Sequence, residues 1–272
     1  MPELPEVETI KNELMPHVIG RTLTGSTIFW NRIVRQPSVK DFCSRLIGQK
    51  MIGLARQGKY LIISLTSDDS LIIHLKMSGS LLIGQDSSDP PKYTRAIIHL
   101  DNGTNVFFRD PRKFGAMWLV ADEGTITSKL GPEPLEDDFT PQVLARRLSN
   151  RKAPIKAVLL DQNFVAGIGN MYADEALFVA GIHPTRPGGS LSQAEVAQLH
   201  SAIKQVLWAA IDNKGASIVN YVRPDGELGT AHFEFKVAHR SGKPCPKCGT
   251  TIQRIPIRNR GTYFCLRCQA EP

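Results

Sequence analysis

CPKC at residues 245–248 and CLRC at residues 265–268 are separated by sixteen residues. This spacing is typical of a structural zinc site, because each pair chelates from one tight turn and four thiolates complete a tetrahedron. Cys245, Cys248, Cys265 and Cys268 are therefore predicted to bind one Zn²⁺, with no coordination position left for water. Between the pairs, apolar stretches on either side of Asn259-Arg260-Gly261 predict a β-hairpin with Arg260 at its tip.

The segment around these cysteines carries the net charge of the chain. The formal charge is +7, and residues 236–272 contain eight basic residues and one acidic residue, whereas residues 1–235 contain 25 of each sign. A neutral body followed by a basic segment predicts a localised contact with a polyanion. A segment that is basic only for solubility is the alternative.

Upstream, helical periodicity appears at residues 140–149, 154–163, 171–180 and 192–213. The glycine turn Ala166-Gly-Ile-Gly-Asn170 precedes the third of these helices, with Asn170 as its predicted N-cap. Glycines before a helix expose backbone N–H groups that suit a phosphate. A plain helical hairpin has the same pattern, so this turn alone is weak evidence of function.

The pattern of residues 22–121, apolar segments separated by turn signals, predicts β-strands. Such a series of strands favours an antiparallel sandwich or barrel. Residues 129–138 combine three helix breakers with four acids and are the predicted linker. No apolar run approaches the ~18 residues of a membrane span. The acidic N-terminus lacks a signal-peptide pattern, so a cytoplasmic location without membrane contact is expected.

The N-terminal stretch MPELPEVET, residues 1–9, combines two Pro-Glu pairs with a predicted helix from Pro5 to near Gly20. Proline suits a first helical turn, and Glu6 and Glu8 suit its positive end. The start of a helix is therefore enough to explain Pro2 and Glu3 without a catalytic role.

Seven short motifs follow one another along the chain. They are Pro2-Glu-Leu-Pro-Glu-Val-Glu8, Gly58-Lys-Tyr60, His74-Leu-Lys-Met-Ser-Gly79, Asp110-Pro-Arg-Lys-Phe-Gly115, Leu130-Gly-Pro-Glu-Pro134, Ala166-Gly-Ile-Gly-Asn170 and the four cysteines with Arg260. Each motif is weak evidence alone, but the ordered set is specific and spans essentially the whole chain. In this order the motifs resemble the bacterial formamidopyrimidine-DNA glycosylases, repair enzymes for oxidised purines.

The resemblance implies an α+β multidomain fold. Its parts would be an N-terminal antiparallel β-sandwich domain with an N-terminal helix at residues 1–130, a helix–two-turn–helix DNA-binding domain at 131–235 and a zinc-finger β-hairpin at 236–272.

It also implies a bifunctional glycosylase and abasic-site lyase that excises 8-oxoguanine and formamidopyrimidines from duplex DNA, followed by β,δ-elimination. Removal of Met1 would free the secondary amine of Pro2, and an α-amine with an ordinary pKa near ~8 is partly unprotonated at neutral pH. Its attack on the sugar C1′ would give an iminium ion. Glu3 would donate a proton to the sugar ring oxygen. Lys59 would assist near the sugar and phosphate, and Arg260 would contact phosphates and assist the second elimination.

DNA contacts are implied at further positions. Asn170 would hold the DNA backbone, while Met77, Arg112 and Phe114 would fill the gap that a flipped nucleotide leaves. Met77 and Phe114 could instead be core residues.

Four more positions match DNA-contacting residues of the family. Arg151 and Lys152 match lysines that contact the DNA backbone, and Lys156 matches a pocket lysine. Tyr93 stands where the family often has a DNA-contacting histidine. Residues 216–226 match a lesion-recognition loop, and residues 229–240 depart from the usual family pattern.

Other functions fit parts of the sequence. An endonuclease VIII-type enzyme for oxidised pyrimidines is disfavoured by Leu4 and by the Met77, Arg112 and Phe114 set. A non-catalytic DNA-binding protein of the same fold would be expected to lack Pro2, Glu3 or Lys59. A zinc ribbon for protein contacts does not explain the N-terminus. The expected protein is a monomer in the bacterial cytoplasm, on the nucleoid, acting on double-stranded DNA with oxidised bases or abasic sites.

Overall fold

The computed structural model describes residues 1–271, which divide into two compact units. The first unit comprises residues 1–128 together with 213–230, and the second comprises 129–212 together with the residues from 231 onward. The predicted division at residues 130 and 235 differs from this one mainly at residues 213–230, which join the first unit. The three-domain boundaries stay a prediction.

The first unit contains two β-sheets with helices around them. Its elements are α1 (Leu4–Val18), β1 (Leu23–Ile28), β2 (Val34–Gln36), α2 (Val39–Leu46), β3 (Met51–Gln57), β4 (Tyr60–Leu65), β5 (Ser70–His74), β6 (Ser80–Gly84), β7 (Thr94–Leu100), β8 (Asn105–Arg109), β9 (Ala116–Val120) and α3 (Gly124–Thr127). One sheet has the strand order β1-β7-β8-β6 and the other β2-β9-β5-β4-β3. The pairings are antiparallel except for β2 with β9.

The two sheets and α1 share one hydrophobic core. Phe108 of β8 lies in the same buried cluster as Ile63 of β4, Met117 of β9 and Ile10 of α1. Burying each such side chain stabilises the fold by roughly 1.5–3 kcal/mol. The predicted antiparallel β domain is therefore confirmed.

Helix α1 forms for the reasons that its sequence suggests. Glu3 is the N-cap and makes a capping box with Glu6, and Pro5 lies in the first turn. Val7, Ile10 and Leu14 are buried at helical spacing. The helix begins at Leu4, one residue before the predicted start.

Helix α2 was not predicted, because its eight residues lie within a region of strand patterns. The Ser38 hydroxyl caps it by accepting a hydrogen bond from the Asp41 N–H, and Phe42 and Leu46 bury one face. A capping serine followed by two apolar residues four apart is the local signal that identifies it.

The second unit is helical, with a small β-hairpin near its end. Its elements are α4 (Pro141–Leu148), α5 (Ile155–Leu159), α6 (Asn170–Val179), α7 (Gln193–Asp212), β10 (Gln253–Ile257) and β11 (Arg260–Phe264). Within residues 1–271, no helix has the length and apolar character needed to cross a membrane.

The predicted hairpin is present, with a two-residue turn at Arg258 and Asn259. Both residues have positive φ, 45° and 61°, as the turn type that matches strand twist requires. Arg260 is the first residue of β11, opposite Ile257. It therefore lies beside the tip of the hairpin rather than at it.

Candidate active site

The start of α1 is buried and tied to a distant segment of the first unit. Pro2 is buried, and the Glu3 side chain is 3% exposed. The Glu3 N–H donates to Glu6 Oε2 at 2.7 Å, and the Ala216 N–H donates to Glu6 Oε1 at 2.8 Å. One buried carboxylate thus fixes the backbone of Glu3 and the returning segment 213–230. Glu6 was predicted only as a helix-start residue.

Lys59 lies in the β3–β4 turn, which a salt bridge connects to α1. The Arg56 guanidinium donates from Nε to Glu8 Oε2 at 2.7 Å and from Nη1 to the Gly58 carbonyl at 3.1 Å. Burial alone would raise the pKa of the Glu8 carboxyl, but hydrogen bonds from Lys11 and Arg56 outweigh it and hold the pKa below its ordinary value. Glu8 is therefore an anion at neutral pH, and it holds the Lys59 turn against the helix that follows Pro2 and Glu3.

A buried histidine belongs to the same region. The His74 Nδ1 accepts a hydrogen bond from the Lys76 N–H at 2.9 Å, which leaves the proton on Nε2. Burial, together with the charges of Lys76 and Lys59, holds the pKa of His74 well below its usual range. His74 is thus a neutral donor near Lys59, a role that sequence reasoning did not assign to it.

The loop that carries Arg112 and Phe114 is shaped by one carboxylate. Asp110 is fully buried and accepts hydrogen bonds from the Ser78 hydroxyl at 2.5 Å and the Gly115 N–H at 2.7 Å. A Cβ at Gly115 would lie 2.5 Å from the Phe108 ring, so only glycine fits there.

The side chains of this loop project outward. Phe114 is 45% exposed, and the Arg112 guanidinium lies 4.9 Å from its ring centroid. Phe114 is therefore not a core residue, which was the alternative to a DNA-contacting role. Met77, on the neighbouring segment, is half-buried.

In the second unit, α6 holds the hairpin that bears Arg260. The Asn170 side-chain amide donates to the Gly261 carbonyl at 3.0 Å, and Asp174 Oδ2 accepts from the Tyr263 N–H at 3.2 Å. Asn170 is the first residue of α6, whose N-cap is Gly169. Its side chain therefore docks the hairpin instead of capping the helix as predicted.

Lys156 completes this arrangement from the interior. It is fully buried, and its ammonium donates to the Asp174 carboxylate and, at 3.0 Å, to the Asn170 carbonyl. Burial raises the pKa of the Asp174 carboxyl to about 7, and the Lys156 charge acts against that rise. The predicted DNA contact of Lys156 does not fit a fully buried, paired ammonium, and we treat Lys156 as a residue that positions α6.

The remaining predicted residues of the second unit are at its surface. Arg151, Lys152 and Arg260 are exposed. The Glu175 carboxylate of α6 accepts hydrogen bonds from the backbone N–H groups of residues 236, 237 and 238 at 2.8–2.9 Å. These residues precede the four cysteines in the chain. Helix α6 therefore anchors both the hairpin and the segment that leads to it.

The four cysteines have the geometry of a closed metal site. Their sulfur atoms all lie within 4.8 Å of one another, and within residues 1–271 they are the one group of this kind. The Sγ–Sγ distances are 3.9 Å for Cys245 and Cys268 and 3.5 Å for Cys248 and Cys265. A tetrahedron with Zn–S bonds of ~2.3 Å has edges of about 3.8 Å, so the thiolates fit one zinc ion.

Comparison with known proteins matches three successive segments of the chain to known domains. Residues 1–117 match the profile of the formamidopyrimidine-DNA glycosylase N-terminal domain, and residues 130–221 match that of its H2TH domain. Residues 242–270 match a zinc finger found in FPG and IleRS. A formamidopyrimidine-DNA glycosylase from Chloroflexus aurantiacus is 45% identical over 99% of this chain and 98% of its own length.

The chain belongs to the formamidopyrimidine-DNA glycosylase family. It is thus an enzyme of a DNA-repair family with a four-cysteine zinc finger, as predicted. A relative from Geobacillus kaustophilus is 42% identical over 99% of this chain and all of its own.

Solved structures of the glycosylase family have the same fold. A Lactococcus lactis Fpg variant in complex with a Fapy-dG-containing DNA has a TM-score of 0.93 at 33% identity, covering 99% of this chain and 100% of its own. MutM (Fpg) from Thermus thermophilus has a TM-score of 0.90 at 36% identity, covering 100% of both chains. These likenesses confirm the predicted architecture.

The buried pair of Lys156 and Asp174 gives a testable expectation within this glycosylase scaffold. Asp174→Asn leaves a buried ammonium without its counter-charge, so we expect a loss of ~3–5 kcal/mol in unfolding free energy, measured by urea denaturation. Lys156→Met combined with Asp174→Asn should recover much of that loss. Asp161→Asn, at an exposed acid of the same unit, is the control. Equal effects of Asp174→Asn and Asp161→Asn would contradict the assignment.

Proposed function

We propose that this protein is a bifunctional DNA glycosylase and abasic-site lyase that removes 8-oxoguanine and formamidopyrimidines from duplex DNA. The observation that carries the proposal is the first unit's N-terminal arrangement. Pro2 and Glu3 are buried at the start of α1, and the Arg56–Glu8 salt bridge holds the Lys59 turn against that helix.

Removal of Met1 frees the Pro2 amine in this mechanism. Its lone pair attacks the sugar C1′, the bond from C1′ to the damaged base breaks, and the base leaves with the bonding electrons and takes up the proton that the Pro2 nitrogen gives up. Glu3 donates a proton to the ring oxygen as the ring opens, which gives an iminium ion between C1′ and the Pro2 nitrogen. The helix start, fixed by Glu6, holds both groups in one geometry.

Strand cleavage follows from the electron-withdrawing iminium. A proton leaves C2′, the C3′–O bond breaks and the 3′ phosphate departs with the electron pair. Loss of a C4′ proton then breaks the C5′–O bond in the second elimination. Lys59 acts near the sugar and phosphate, and Arg260 stabilises the departing phosphate.

Contacts to the DNA support the chemistry. Arg112, Phe114 and Met77 fill the space of the extruded nucleotide, and the exposure of Phe114 beside the Arg112 guanidinium suits insertion. Arg151 and Arg260 contact the DNA backbone, and Tyr93 lies at the same interface. Asn170 supports the Arg260 contact by docking the hairpin that bears it. We further propose that the protein works as a monomer on the bacterial nucleoid. Structural neighbours from Lactococcus lactis were solved with Fapy-dG-containing and abasic-site DNA.

Borohydride trapping tests this function directly. The protein is mixed with duplexes that carry 8-oxoguanine, a formamidopyrimidine, an oxidised pyrimidine or no lesion, and the covalent product is resolved by gel. We expect adducts with the two purine lesions and none with undamaged DNA. A strong preference for the pyrimidine lesion would indicate an endonuclease VIII-type enzyme instead. Binding without any adduct would indicate a non-catalytic protein.

A further inference from the structure

An exposed aromatic ring in the first unit is surrounded by three cations. Lys92 Nζ lies 5.1 Å from the Tyr93 ring centroid, and the guanidinium carbons of Arg95 and Arg109 each lie 5.8 Å from it. Tyr93 is 41% exposed and has φ of 71°, an uncommon conformation for a bulky residue. We name these four residues the Tyr93 cluster.

Backbone hydrogen bonds hold the Tyr93 cluster in place. The Arg109 Nε donates to the Lys92 carbonyl at 3.2 Å, and the Arg95 Nε donates to the Asp110 carbonyl at 2.8 Å. The Asp110 N–H donates to the Tyr93 carbonyl at 3.0 Å. Both guanidinium groups are thus oriented through Nε, while their terminal nitrogens have no hydrogen-bond partner among residues 1–271.

The charges of the cluster are not neutralised within the described part of the chain. Some other arginines of the first unit do pair with carboxylates, as Arg45 does with Asp69, Arg56 with Glu8 and Arg223 with Glu13. Within residues 1–271, none of the three Tyr93-cluster cations has a carboxylate partner. Three like charges around one ring repel each other, and the attraction of each cation to the ring partly offsets that repulsion. The arrangement therefore suits an anion that would join it.

The position of the Tyr93 cluster indicates which anion it binds. Asp110 connects it to the Arg112 and Phe114 loop, because its backbone groups bond to the cluster while its carboxylate shapes the loop. We propose that the Tyr93 cluster is a phosphate-binding site for the DNA backbone next to the extruded nucleotide, in which the Tyr93 ring positions the three cations. This proposal rests on the proposed function.

The test measures binding of a labelled duplex, undamaged or with a tetrahydrofuran abasic analogue, as a function of salt. Arg95→Ala and Arg109→Ala should each lower the slope of log K against log salt by ~0.9, the value for one neutralised phosphate. Both duplexes should show the change, since phosphate contacts carry no sequence information. Arg95→Lys should keep more of the slope than Arg95→Ala.

Two tyrosine variants isolate the role of the ring. Tyr93→Phe keeps an aromatic face and should retain the wild-type slope, whereas Tyr93→Leu should lower it although no charge is removed. Loss of slope in Tyr93→Phe would contradict the positioning role and indicate a direct hydroxyl contact.

Arg21→Ala is the matched control. The strand register pairs Leu23 with Leu100 and Ile28 with Ala96. Arg21 therefore lies past Leu100, at the end of β7 that is farther from Arg95. Its removal should leave the slope unchanged. Wild-type slopes in Arg95→Ala and Arg109→Ala, with normal borohydride trapping, would overturn the Tyr93 cluster proposal alone. Failure of wild-type protein to form any adduct would instead overturn the proposed function.

Discussion

Pro2→Gly should slow both base release and strand cleavage by about 10²-fold, because a primary amine remains but the geometry of the imino acid is lost. In the wild-type protein, borohydride should leave a covalent protein–DNA adduct, and peptide mapping should place it at Pro2. The measurement needs protein whose intact mass shows removal of Met1. With Met1 retained, the Pro2 nitrogen is an amide and cannot attack, so such protein should give no adduct.

Glu3→Gln should lower base excision by ~10²–10⁴-fold, the usual contribution of a positioned general acid. Cleavage of a pre-formed abasic site should fall less, because ring opening there needs less help. A glutamine can still accept a hydrogen bond at the helix start, so the thermal midpoint should change little.

Two comparisons make this mechanism falsifiable. Asp68→Asn, at an exposed acid of the first unit, removes a charge without touching α1 and should retain wild-type excision. Mapping of the adduct to Lys59, in protein shown to lack Met1, would assign the nucleophile to that lysine instead.

Removal of zinc should abolish DNA binding. Chelation removes the metal ion and Cys248→Ser removes one of its four sulfur ligands. Structural zinc contributes ~10–16 kcal/mol of apparent binding free energy that is also folding free energy. Hydrogen exchange should become fast in β10 and β11, whose hairpin bears Arg260. The β-sheets of the first unit should keep their protection, because they share a core of their own.

Cys43→Ser is the control for the zinc variant. Cys43 is half-buried against the first unit's core and lies outside the metal cluster, so its replacement should preserve zinc content and DNA binding. A metal-free protein that binds and cuts damaged DNA normally would contradict the structural role of zinc.

The strongly patterned elements could be predicted from sequence. Helix α1 begins within one residue of its predicted start, because its proline, its acids and its apolar spacing all favour the same structure. The zinc ligands follow from cysteine spacing alone. Helix α2 could not be distinguished by periodicity from the strands around it, since it makes barely two turns.

Side-chain roles were harder to predict than elements. Asn170 and Lys156 occur in motifs that suggest DNA contacts, yet both side chains bond inside the second unit. Tyr93 stands in the sequence where the family often has a histidine, but the convergence of Arg95 and Arg109 on its ring depends on the pairing of β7 with β8. Such tertiary partners leave no local trace in the sequence.

The hydrogen bond between Glu6 and Ala216 also has a consequence for synthesis on the ribosome. These residues are separated by 210 positions, and translation at ~5–20 residues per second puts them about 10–40 s apart. During that interval the Glu6 carboxylate has no Ala216 to bind and stays hydrated. A nascent chain that stops short of Ala216 therefore contains Pro2, Glu3 and Lys59 but not the backbone that bonds to Glu6. Completion of this part of the molecule is a late, long-range event in its folding.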